Sequence, residues 1–161
     1  WSKLTGEYLA RLAHEKYDLN VVCYRPFSGY GEDQHETYPF PAILNRAINH
    51  ESPITVWSDS IRDFIYIEDC IDGVLATMES ISDGSGVNLG TGEATSFSTL
   101  AKEIASSVGY MPDVKVLDDK PSGVYYRVAD TTLMNKLGYK YTTSLRDGID
   151  RIIKIRSEKN G

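Results

Sequence analysis

Arg62 is the single basic residue between Val56 and Asp69, in a stretch whose other polar residues are serines and acids. The stretch leaves a short β-branched run, carries a polar turn, and re-enters an apolar run, Phe64 to Ile67, that stops at Glu68 and Asp69. A guanidinium presents a planar fork of donors that matches phosphate oxygens, and it stays charged when partly buried. The chemistry this position suits is therefore capture of an anion. Trp57, just before the turn, offers an aromatic face on which any nucleobase can stack, although a tryptophan there suits a core equally well. A second candidate is Tyr24-Arg25-Pro26-Phe27-Ser28-Gly29-Tyr30-Gly31, a glycine-punctuated segment leaving the carboxyl end of an apolar run. Open α/β sheets hold ligands at such ends, and the plain alternative is a connecting loop.

Several function classes are excluded. A net charge of −6 and a pI near 5.0 leave no basic face for nucleic acid or an anionic membrane, so an anionic ligand must be met by a few placed cations. His14, His35 and His50 lie far apart without paired acids at ligand spacing, which predicts no metal site. There is no GxSxG nucleophile elbow. Gly84-Ser85-Gly86 and Gly90-Thr91-Gly92 do not make a GxGxxG dinucleotide fingerprint. Cys23 and Cys70 sit inside apolar runs and no secretory signal is evident, which predicts reduced thiols and a cytoplasmic chain. No apolar run reaches the roughly 18 residues of a membrane span.

The elements that must position Arg62 alternate. Leu4, Tyr8, Leu9, Leu12 and Ala13 predict a helix over 3–16 with one buried stripe, and Asn20 to Tyr24 a strand stopped by Arg25-Pro26. Residues 27–34 read as a loop. Pro39 and Pro41 open a helix with Ile43, Leu44, Ala47 and Ile48 inward. Strands follow at Ile54 to Trp57 and Phe64 to Ile67, then a helix with Ile71, Val74, Leu75 and Met78 inward, and a strand at Val87 to Leu89. Ser96 and Gly109 bracket a further helix, Val114 to Leu117 is the last strand, and Asp130 and Ser144 cap two final helices. The alternation predicts an α/β fold with a mostly parallel component, yet too few strands precede residue 60 for a complete doubly wound sheet. The chain opens helical at Trp1 without a cap or methionine, which predicts that the polypeptide continues upstream.

The segment Trp57 to Asp69 resembles the R-D-F-x-Y-V-x-D signature of the nucleotide-sugar epimerases and dehydratases, the extended branch of the short-chain dehydrogenase/reductases. Arg25-Pro26-Phe27-Ser28-Gly29-Tyr30-Gly31 is similar to that family's R-P-x-N-x-Y-G loop, with Ser28 in place of the asparagine. The run from Lys120 through Arg127 to Asp130 resembles its K-P-x-G-x-x-x-R-x-x-D segment, and Ser2-Lys3 fits the end of its YxxxK pair, whose tyrosine would precede Trp1.

The resemblance implies the carboxyl-terminal part of a Rossmann-like extended fold plus its small α/β substrate-binding domain. Residues 1–34 would end the Rossmann-like domain, and 35–161 would mainly bind substrate, with the region 62–92 partly returning to the Rossmann-like sheet. It implies catalytic and cofactor contact for Lys3, cofactor contact for Arg25, Pro26 and Ser28, and substrate contact for Ser28, Trp57, Arg62, Arg127 and Asp130. The two arginines would grip the diphosphate. For Asp130 a helix-cap role competes. The implied cofactor is NAD or NADP, the ligand a nucleoside-diphosphate sugar, and the complete enzyme a homodimer. The chain itself is expected to bind without turning over, because it lacks the glycine-rich phosphate loop and the tyrosine. The alternative is a non-catalytic module of the same descent that binds a nucleotide or a protein.

Overall fold

The computed structural model describes residues 1–117, 120 and 123–159. In chain order they form helix α1 (Ser2–Tyr17), strands β1 (Val21–Pro26) and β2 (Ser28–Tyr30), helix α2 (Pro39–Ile48), and strands β3 (Ile54–Val56), β4 (Ile61–Arg62) and β5 (Phe64–Tyr66). Helix α3 (Ile67–Thr77), strands β6 (Asp83–Leu89) and β7 (Thr95–Ser96), helix α4 (Phe97–Val108), strands β8 (Val114–Val116) and β9 (Tyr126–Arg127), and helices α5 (Thr132–Lys136) and α6 (Leu145–Lys159) complete the chain. Pro121 and Ser122, part of the run that carries Arg127, lie outside the described residues.

The fold is mixed α/β, as the alternation predicts. Strands distant in sequence pair in parallel: β1 with β6, β2 with β5, β3 with β8, and β4 with β9, while β4 and β7 run antiparallel. Two cores result. The larger gathers α2, α4 and α6 over β2, β3 and β5, with Leu44, Leu100, Ile104, Ile149 and Ile152 fully buried. Helix α4 starts where Ser96 Oγ accepts the Thr99 amide (3.1 Å) and stops at Gly109, whose φ of 92° only glycine adopts without strain. Ser144 and Asp147 likewise bond each other across the first turn of α6. The smaller core joins Val87 and Leu89 of β6 to Met134 of α5, with Val74 of α3 packed against it.

Four expectations fail. Residues 27–34 are not all loop, because Phe27 donates to the Leu89 carbonyl (3.0 Å) and Ser28 to that of Asp63 (2.9 Å), which lays β2 beside β5. The apolar stripe of α1 is not buried: Leu4 is 65% and Tyr8 59% exposed. That helix instead lies backbone-close on β6, where a Cβ at Gly84 would come within 2.6 Å of the Arg11 amide. Helix α3 also turns most of its expected inner face outward, with Ile71, Leu75 and Met78 half exposed or more, while Val74 packs inward as expected. Its small residues make the contact, since a Cβ at Gly73 would stand 3.1 Å from both Leu89 and the Tyr139 ring. Close approach at glycine, which hydrophobic periodicity does not record, chose both faces. Ile48, expected inward on α2, is exposed as well.

Candidate functional site

The two-residue strand β4 carries Arg62 into register with Arg127 on β9. Like charges placed directly opposite on neighbouring strands ordinarily destabilise a sheet. Here the repulsion is left standing: among the described residues neither guanidinium has a carboxylate within ion-pair distance. Arg62 Nη1 donates to the carbonyls of Ile61 (2.8 Å) and Tyr125 (3.3 Å), and its guanidinium lies 5.7 Å from the centre of the Phe97 ring. Burial, and then the charge of Arg127, lower its pKa from the ordinary arginine value. Arg127 Nη2 reaches toward Ser28 Oγ at 3.5 Å.

These groups line a cleft of about 360 Å³, together with Gln34, Trp57 and Phe97. Trp57 and Phe97 also line a second, mostly apolar recess of about 200 Å³, walled by Pro39, Ala42 and Ile43 of α2 and by Val56, with Arg46, Thr37 and Thr55 as its polar members. Trp57 is 60% exposed, so its core reading is excluded. Asp59, in the turn after Trp57, accepts the Ser98 amide of α4 at 2.9 Å and ties that turn to the helix bearing Phe97. The arrangement offers two facing cations at one end, a mostly apolar recess also lined by Arg46, Thr37 and Thr55 at the other, and neutral polar groups, Ser28 and Gln34, along the side. That is the complementarity of a charged linker joined to a ring.

The remaining predicted residues lie elsewhere. Lys3 is exposed on the first turn of α1, and Pro26 stands in register with Leu89 at the end of the β1–β6 ladder. Arg25 is committed to Glu7 of α1: Nε bonds Oε1 at 2.6 Å and Nη2 bonds Oε2. Its guanidinium lies flat over Gly86, where a Cβ would come within 2.8 Å of Cζ. Asp130 does not cap α5, whose N-cap is Thr131; it stands one residue earlier, its Oδ1 accepting the Thr132 amide (2.9 Å), and bonding from the Thr132 side chain and then from that amide holds its carboxyl below the usual range. Sequence reasoning missed Asp63 and Asp69, both buried and both bonded to backbone amides of distant loops. The one signal for them was an acid set among aromatic and β-branched residues.

A model of the NAD dependent epimerase/dehydratase family matches residues 1–90. A putative GDP-L-fucose synthase 2 of Oryza sativa subsp. japonica is 28% identical over 99% of this chain and 49% of its own length. A putative UDP-glucose 4-epimerase of Methanocaldococcus jannaschii is 28% identical over 99% of this chain and 53% of its own. Among solved structures, a UDP-glucuronic acid 4-epimerase from Bacillus cereus, in complex with UDP-glucuronic acid and NAD, matches with a TM-score of 0.80 at 27% identity, over 94% of this chain and 51% of that one. The UDP-glucose 4-epimerase of Thermotoga maritima, with UDP-glucose, gives 0.85 at 22%, over 98% and 52%. The chain thus spans about half the length of these relatives.

Proposed function

Since this chain belongs to the NAD dependent epimerase/dehydratase family, we propose that it is the nucleotide-sugar-binding part of such an enzyme, with Arg62 and Arg127 gripping the diphosphate. The observation that carries the reading is the in-register pair of arginines, lacking any acid among the described residues, in a cleft beside a mostly apolar recess. A diphosphate supplies the charge that the pair lacks. Trp57 and Phe97 then flank the base in the recess, and Ser28 and Gln34 face the sugar. Ser28 is shorter than the asparagine of the family pattern, so its hydroxyl reaches a nearer sugar atom or works through water.

Residues 1–34 are proposed to end the Rossmann-like cofactor domain, and 35–161 to form mainly the substrate domain, with the region 62–92 partly returning to the Rossmann-like sheet. The described residues do not by themselves fit a dinucleotide: Arg25 is held by Glu7, Lys3 stands alone in solvent, and no glycine-rich phosphate loop is present. The activity proposed for these 161 residues is therefore binding, and a hydride-transfer assay on the purified chain is expected to show no turnover.

Titration with UDP, followed by tryptophan fluorescence, tests the site. Arg62→Ala is expected to weaken binding at least about tenfold, about 1.4 kcal/mol. An unchanged affinity would remove the arginine pair from the site.

A further inference from the structure

Two facing cations push β4 and β9 apart, and a ladder only two residues long has little of its own to resist them. The residue after Arg62 is Asp63, fully buried. Successive residues in extended chain point to opposite faces, so this carboxylate lies behind the sheet that carries the arginine. Its Oδ1 accepts from the Thr91 amide (2.8 Å) and hydroxyl (2.7 Å), and its Oδ2 from the amides of Gly92 (2.8 Å) and Ala129 (3.1 Å). Ala129 follows Arg127 by two residues. The acid adjoining one arginine therefore grips the backbone adjoining the other.

We infer that Asp63 is the positioning residue of the arginine pair, holding β4 and β9 in register against the repulsion of Arg62 and Arg127 before any ligand arrives. The inference rests on the diphosphate-binding reading above. Asp63 touches no ligand; it acts through Arg127. Gly90 belongs to the same device: a Cβ there would stand 2.6 Å from Asp63 Oδ2 and 2.5 Å from the Ala129 Cβ, so only glycine lets the carboxylate and the β9 backbone meet.

Two measurements test this. Hydrogen exchange on the ligand-free chain should show the Ala129 amide as protected as that of Ile65, and UDP should leave it unchanged. Exchange at the rate of an open loop, with protection appearing only on UDP binding, would overturn the inference without any variant. UDP titration of Asp63→Asn, Arg127→Ala and the double variant supplies the second. Asp63→Asn is expected to weaken UDP at least about tenfold, yet to add less than about twofold once Arg127 is alanine, because the acid works through that arginine. Equal affinity of Asp63→Asn and the unsubstituted chain, or additive losses, would overturn the role of Asp63 and leave the clamp standing. Failure of the unsubstituted chain to bind UDP would overturn both.

Discussion

Asp69→Ala is expected to cost about 3 kcal/mol of folding stability, enough to bring a marginal domain near unfolding. The carboxylate is 2% exposed and gathers the Thr142 amide (2.8 Å), the Thr142 hydroxyl (3.0 Å) and the Thr143 amide (3.0 Å), with the Tyr139 hydroxyl at 3.3 Å. These bonds hold residues 139–143 on the start of α3 and so deliver the chain to α6. Removing the acid strands buried donors, and that penalty exceeds what a formed bond contributes. Burial alone would raise its pKa, but the donors of Thr142 and Thr143 outweigh it and the net shift is downward. A carboxyl whose folded pKa is depressed adds stability above the unfolded value, about 3.9, and loses it as pH falls through the folded one. Urea melts of Asp69→Ala and the unsubstituted chain should therefore differ most at neutral pH and converge in acid. Asp69→Asn, which keeps the shape but turns an amide toward donors, should fall between them. A gap that persists unchanged in acid would show that the ionised form is not what holds the loop.

The same acids mark where sequence reasoning stops. The pairing of Arg62 with Arg127 was legible because each sits in a recognisable run, and their meeting requires only that the chain return along one sheet. The strands that bring them together, β4, β7 and β9, are two residues each, too short for any periodicity to appear. Asp59 sits in a polar turn, Asp69 at a helix start and Asp63 inside a motif run; that each turns inward to collect amides from distant chain depends on loops whose approach no local pattern specifies. Arg25 shows a different limit. Its motif named it for the ligand, yet Glu7, on a helix whose rotation is set by contact at Gly84, takes the guanidinium first. The helices α2 and α4 were read well because their buried faces follow apolar spacing, whereas α1 and α3 pack through small residues and leave Leu4, Tyr8, Ile71 and Leu75 in solvent.

Phe64→Ala should combine the largest loss of stability with a loss of binding. Phe64 is 7% exposed, stands opposite Ser28 in the β2–β5 register, and meets the rings of Tyr30 and Phe97 edge-on at 6.4 and 6.0 Å. Phe97 in turn lies under the Arg62 guanidinium at 5.7 Å. Truncating a buried phenylalanine costs about 3–5 kcal/mol, as lost transfer energy plus the cavity left behind. The cavity opens directly beneath the platform of the arginine, so Phe97 is expected to sink toward it and draw Arg62 out of register with Arg127. Ile152→Ala provides the contrast: Ile152 is fully buried in the same core but lines neither the cleft nor the recess. It should cost about 2–5 kcal/mol in stability while leaving UDP affinity within about twofold. Comparison of the two variants by urea melt and UDP titration under conditions where both are folded separates support of the site from support of the fold. Were Phe64→Ala to bind UDP as Ile152→Ala does, the path of ring contacts from Phe64 through Phe97 to Arg62 would have no part in shaping the cleft, and the arginine would owe its place to the strand alone.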